Sequence, residues 1–243
     1  MTELTDKIAL VTGGAGGIGS AIVREFADAG ARVVLHYREG AERACALADA
    51  LGPDRCYLVQ ADFGSDDGVL ELWRAAVGWR GGIDILVNNA ALHARVDPEA
   101  DFEEWNAVWR RSFQVNVFAA AHLCREAVAH FRGRGGGVVI NISSQAAHKG
   151  SHADFMHYAA AKAALKALTQ SIARAYAPEG VFAYVLAPGF VRRPEGHAGP
   201  RPELPMGEAP AEEIAAFARF LASGNARHAT GATVDITGAS YIR

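Results

Sequence analysis

"KIALVTGGAGGIG", residues 7–19, carries an apolar run into a glycine loop and then into a helical pattern. The run "KIALVT" (7–12) is almost continuously apolar, as a parallel strand covered on both faces must be. Glycines then let the backbone turn sharply and approach a ligand with no Cβ in the way. A helix opening directly after the loop offers free N–H groups and a partial positive charge. Strand, loop and helix in that order make a site for the pyrophosphate of a dinucleotide. Thr12, Gly13, Gly17, Ile18 and Gly19 are its candidate contacts.

The same alternation repeats along the chain. Apolar runs at 31–37, 56–60, 83–88, 137–143, 181–187 and 232–237 read as strands. Amphipathic stretches at 18–29, 41–51, 66–78, 104–131, 157–177 and about 210–222 read as helices. Such alternation predicts right-handed βαβ units and a doubly wound parallel sheet of Rossmann type, helices on both faces. No repeat or low-complexity linker divides the chain, so residues 1–243 are read as one domain.

Composition narrows the function. Half of the 243 residues are hydrophobic, enough for a sizeable core, and the net charge of −3 gives no electrostatic case for nucleic acid or an anionic membrane. Cys45, Cys56 and Cys124 are scattered and form no C-x-x-C pair, so neither a disulfide framework nor a cysteine zinc site is indicated. The five-residue apolar run near the start is too short for a signal peptide, and no run approaches a membrane span. The chain therefore reads as a soluble cytoplasmic protein.

The tip of the second strand, "LHYREG" (35–40), bears on the cofactor. An acidic residue there binds the ribose 2′-hydroxyl of NAD. This chain has His36, Tyr37 and Arg38 instead, with Glu39 one residue late. Arg38 suits the 2′-phosphate of NADP, which is the favoured cofactor, NAD being the alternative. Asp62, in "QADF", is placed to accept from the adenine amino group or to cap a helix.

In "HYAAAK" (157–162), Tyr158 stands four residues before Lys162, on one face of a helix. A free tyrosine has a pKa of about 10, too high for a base at neutral pH, and a cation one turn away is expected to bring it down. Ser144 ends the fifth strand in "VINISS" (139–144), where open α/β sheets bind ligands. A hydride carried by a nicotinamide leaves the protein only a proton to move and an oxygen to stabilise. No metal is needed for that.

"TGGAGGIG" (12–19), "LVNNAA" (86–91), "VINISS", "HYAAAK" and "PGF" (188–190) together make the chain resemble the short-chain dehydrogenase/reductase family, 3-oxoacyl-carrier-protein reductases included. The resemblance runs over essentially the full length. It implies an NAD(P)-dependent oxidoreductase of carbonyl/alcohol substrates, free or carrier-bound, in a homodimer or homotetramer. Alternatives are an epimerase or imine reductase of the same fold, or a non-catalytic dinucleotide sensor. Carried over residue by residue, Tyr158 is the acid/base. Lys162 lowers its pKa and holds the nicotinamide ribose. Ser144, rather than Ser143, bonds the substrate oxygen. Asn116, in "QVNVF" (114–118), supports a water relay to the lysine, Asn89 lines the cofactor cleft, and Val191 touches the cofactor.

Four departures stand out. Ala91 replaces a usual glycine, and Tyr184 an asparagine with a local structural bond. Ser144 and Tyr158 are 14 residues apart, which predicts a bulged loop between them. Arg192 and Arg193 replace the threonine region that contacts the carboxamide. His148, His152, His157 and Asp154 crowd one loop, as polar residues near a substrate mouth rather than a metal site. The lid, 190–209, holds five prolines and glycines between 194 and 202, each opposing a helix by about 3 kcal/mol for proline and about 1 for glycine. An irregular, mobile lid is expected, with Arg192, Arg193 and Arg201 facing cofactor phosphate or an anionic substrate.

Overall fold

The computed structural model describes residues 3–192 and 204–242. Seven strands form one parallel sheet in the order β3-β2-β1-β4-β5-β6-β7. They are β1 (Ile8–Val11), β2 (Arg32–Tyr37), β3 (Cys56–Gln60), β4 (Ile85–Asn88), β5 (Gly137–Ile142), β6 (Val181–Pro188) and β7 (Thr233–Ile236). Every residue of β1 and β4 is buried, which is why both runs are apolar without alternation.

The helices are α1 (Gly17–Asp28), α2 (Ala41–Leu51), α3 (Asp66–Arg80), α4 (Phe102–Phe113), α5 (Ala119–Arg132), the single turn α6 (Ala146–Lys149), α7 (Met156–Tyr176) and α8 (Ala211–Ala222). One apolar cluster joins α1, α2 and α8 to one face of the sheet through Ile22, Phe26, Leu47, Ile214 and Leu221. A second joins α3, α5 and α7 to the other face through Leu72, Leu123, Phe131 and Ile172. Strand order reverses between β1 and β4, so a crevice opens beyond their carboxyl ends.

The stretch 104–131 is not one α-helix. A π-helical turn, Gln114–Phe118, separates α4 from α5. The segment between Ser144 and Tyr158 carries α6, a left-handed turn at Gly150 (φ 79°) and a 3-10 turn at Ala153–Phe155. At Tyr184 the fold replaces the asparagine's bond with another: the buried phenol donates to the Ala226 carbonyl at 2.9 Å. The middle of the expected lid, with Arg193 and Arg201, lies outside the described residues. Its ends are joined by a bridge between Val191 and Ala209. Among the described residues no helix is long and apolar enough to cross a membrane.

Candidate active site

The glycine loop is held from three sides. Thr12 Oγ1 accepts from the backbone of Asn89 at 2.9 Å and of Ala90 at 3.0 Å. Asn89 Nδ2 donates back to the carbonyls of Thr12 at 2.9 Å and Gly13 at 3.1 Å, tying β1 to β4 across the crevice. The Gly13 amide donates to His36 Nδ1 at 3.1 Å. Gly13 itself has φ +64°, and a Cβ on Gly19 would strike the Gly13 carbonyl oxygen at 2.2 Å. Gly17, by contrast, has nothing within 4 Å of a Cβ position and faces the cavity. A backbone cradle open at Gly17 and closed at Gly19 fits a pyrophosphate seated on the start of α1.

Ser143 is the structural member of its pair. Its buried hydroxyl donates to the Lys162 carbonyl at 2.9 Å and fixes α7 to the end of β5. Behind it runs a buried polar chain. Asn88 Nδ2 donates to Asn141 Oδ1 at 2.8 Å, Asn141 Nδ2 donates to Thr169 Oγ1 at 2.7 Å, and that hydroxyl donates to the Leu165 carbonyl at 2.8 Å. These bonds set the register of α7 against β4 and β5.

The Tyr158 pKa is not lowered by its lysine. Burial pushes the phenol above its usual range, and the Ser144 hydroxyl pulls it partly back. The reason is geometric: Lys162 Nζ lies 5.6 Å over the centroid of the Tyr158 ring and donates to the Ile142 carbonyl at 2.8 Å. Burial also pushes the Lys162 ammonium down to about 8. His93 packs its edge against the Tyr158 ring at 4.7 Å and stacks on Phe155 at 4.3 Å.

Asn116 sits inside the π-turn, where the added residue rotates its side chain toward the loop after β4. Its Oδ1 accepts from the Leu92 amide at 2.7 Å. Its Nδ2 donates to the Leu92 carbonyl at 2.9 Å and to Ser112 Oγ at 3.1 Å. Both amide hydrogens are therefore committed to the protein. Asp62 does not cap α3; Ser65 does, accepting from Gly68 at 3.3 Å. Asp62 Oδ1 accepts from Gly64 at 2.9 Å. Arg38 is ion-paired with Glu39 at 2.7 Å.

The crowded histidines diverge. His148 turns toward Asp235 at 3.7 Å and Lys166 at 3.4 Å, and His157 bonds the Ala94 carbonyl at 3.1 Å. His152 faces the cavity and Asp154 pairs with Arg95. Among the described residues no group of three or more His, Cys, Asp or Glu is placed to hold a metal.

One cavity of about 710 Å³ collects Gly17, Ile18, Gly19, Asn89, Ser144, Tyr158, Lys162 and Val191. Arg38 and Asp62 stand apart from it at the tips of β2 and β3, and Asn116 acts behind it. Two features escaped the sequence reading: the bond from the Gly13 amide to His36, and Arg43, whose guanidinium lies 2.9 Å from a Cβ position on Gly40.

Residues 7–198 match the family model of the short chain dehydrogenases. The chain is 36% identical to 3beta-hydroxysteroid dehydrogenase 1 of Eggerthella lenta, over 97% of this chain and 94% of that one. It is 34% identical to cis-4-hydroxycyclohexanecarboxylate dehydrogenase of Sinomonas cyclohexanicum, over 96% of each. The crystal structure of a 3-ketoacyl-(acyl-carrier-protein) reductase from Brucella melitensis, complexed with NADH, superposes with a TM-score of 0.88 at 30% identity, covering 98% of this chain and 100% of that one. The chain belongs to the short-chain dehydrogenase/reductase family and is an NAD(P)-dependent oxidoreductase, moving a hydride between a nicotinamide and a carbonyl/alcohol pair.

Proposed function

We propose that this enzyme interconverts a ring alcohol and its ketone, with NADP preferred to NAD and Tyr158 as the acid/base. The observation that carries the reading is the convergence of Ser144, Tyr158 and Lys162 on the cavity that the glycine loop enters. A ring is favoured because two relatives are named for hydroxysteroid and hydroxycyclohexane substrates.

Thr12, Gly13, Gly17, Ile18 and Gly19 would hold the pyrophosphate, Asp62 the adenine, and Asn89 and Val191 the nicotinamide end. Arg38 supports NADP, and Arg43 beside the start of α2 supports it further, since two guanidiniums and a helix N-terminus suit a phosphate. Binding it would require Arg38 to exchange Glu39 for the phosphate.

The cofactor, when bound, supplies or accepts the hydride. Ser144 donates a hydrogen bond to the substrate oxygen. In the oxidative direction Tyr158 removes the alcohol proton, and in reduction it returns one. Burial disfavours the charged form of each group, holding the Tyr158 phenol protonated and drawing the Lys162 ammonium down, while the Ser144 hydroxyl eases the phenol back toward ionisation. Asn116 serves by fixing Leu92 beside the cavity wall at Ala91. The assembly is read as a homodimer or homotetramer.

A panel of cyclic alcohols and ketones, each with NADP(H) and NAD(H), tests this through the absorbance of the reduced nicotinamide. Turnover should be faster and cofactor Kd lower with NADP. Tyr158→Phe should lose roughly 10²–10⁴-fold in kcat with little change in cofactor Kd, since only the proton-transfer hydroxyl is removed. Near-normal turnover in that variant excludes Tyr158 as the acid/base.

A further inference from the structure

The described lining of the catalytic cavity carries one sign of charge. Lys149, Lys162 and Arg192 are the charged side chains that face it, with the imidazoles of His93 and His152 beside them, and no aspartate or glutamate faces it among the described residues. The whole chain has the opposite balance, with 27 acidic against 24 basic residues. A cleft with low-dielectric walls focuses such a charge and concentrates anions within it.

Three of these groups already have positions that account for them. Lys162 is held on the Ile142 carbonyl, Arg192 adjoins Val191 on the wall assigned to the cofactor, and His93 packs on Tyr158 and Phe155. Lys149 and His152 remain. Lys149 ends α6, whose single turn begins two residues after Ser144. It therefore stands five residues beyond the serine, at the far end of that element. The left-handed Gly150 (φ 79°) then turns the chain, so Ser151 and His152 line the cavity with it. Lys149 makes no ion pair among the described residues. The acid of this loop, Asp154, is bound by Arg95 at 2.5 Å and lies off the cavity lining. What the loop offers the substrate is a cation, a hydroxyl and an imidazole.

We infer that Lys149, with Ser151 and His152, forms an anion subsite that takes a carboxylate carried on the substrate ring away from the reacting oxygen. This rests on the ring-alcohol reading above and narrows its substrate class to cyclic hydroxy acids and their keto acids. Loop placement separates this subsite from the glycine loop, so the carboxylate and the cofactor phosphates are held by different residues.

The test compares 4-hydroxycyclohexanecarboxylate with its neutral carboxamide on the full-length enzyme with each nicotinamide. The wild type should favour the acid by about tenfold or more in kcat/KM at low salt, and the preference should shrink as salt rises. Lys149→Met should bring the acid-to-amide ratio close to one, and Lys149→Arg should keep most of it. Calorimetry with cyclohexanecarboxylate, which does not react, should show Kd about tenfold weaker in Lys149→Met. The inference is overturned if the wild type shows no acid preference, or if Lys149→Met lowers acid and amide alike. It is also overturned if that variant weakens cofactor Kd instead, because the lysine then serves the cofactor. Should no cyclic alcohol of the wider panel be oxidised with either nicotinamide, the ring-alcohol reading fails, while the calorimetric arm still decides whether Lys149 binds a carboxylate.

Discussion

His36 shows how one buried side chain couples the glycine loop to the sheet. Its Nδ1 must accept from the Gly13 amide, so its proton sits on Nε2 and is donated to the Ala61 carbonyl at 3.1 Å. The ring stacks on Phe63 at 4.3 Å. Protonating Nδ1 would break the Gly13 bond and charge a buried group, and burial accordingly holds the pKa down at about 4 against an ordinary 6.5. In the unfolded chain the imidazole takes a proton as pH falls through 6.5, while the folded one stays neutral. The stabilisation is therefore complete above pH 6.5 and is lost as pH falls from 6.5 to 4. The difference of 2.5 units corresponds to about 3 kcal/mol. Denaturant unfolding between pH 7 and 4 should show this loss, and His36→Gln should flatten a large part of the slope. An unchanged slope in the variant would assign the acid sensitivity elsewhere, with His157, also held down by burial, the next candidate. None of this was legible beforehand. Reading the tip of β2 for a ribose or phosphate partner asks what its residues show to solvent, and His36 points the other way.

At the scale of elements, the π-turn between α4 and α5 is the feature that most affects the site. Five residues of wider helix do not disturb an apolar pattern sampled over twenty-eight, so the stretch 104–131 reads as one helix. The added residue is what brings Asn116 to both the amide and the carbonyl of Leu92. Asn116→Ala should strand those backbone groups and cost about 1–3 kcal/mol of stability. Because Leu92 follows the Ala91 wall of the cavity, cofactor Kd should weaken in the same variant. Urea unfolding and a fluorescence titration of cofactor measure the two effects. Full stability with weakened binding would move Asn116 from a positioning residue to a direct ligand. The Tyr158–Lys162 spacing, by contrast, was legible because it depends only on α7 being a helix. What the lysine does to the tyrosine was not, since that turns on Nζ standing over the ring rather than at the oxygen.

For the whole molecule, the sheet was readable because its central strands, β1 and β4 above all, are buried on both faces and so lose the alternation that other strands show. Assembly is a different matter, since sequence patterns do not say which apolar surface faces a partner. The structure offers one: a groove of about 370 Å³ between α5 and α7, lined by Ala121, Cys124, Val128, Leu168, Ile172 and Tyr176. Small residues at Ala121 and Ala175 leave room for a helix to approach. Phe118, 49% exposed at the start of α5, extends the apolar face. A symmetric pairing of α5 and α7 with the same helices of a second copy would cover this surface, and a stable contact needs about 800 Å² from each partner. Light scattering at micromolar concentration should give a mass of two or four chains. Ala121→Glu combined with Ser171→Glu should lower it, because four carboxylates would then be desolvated across the two-fold axis, more than the Arg125 of each groove can answer. A monomeric wild type would remove the homo-oligomer. An unchanged mass in the double variant would leave the assembly intact but move its interface to another face, with the exposed Phe102 of α4 the first surface to examine.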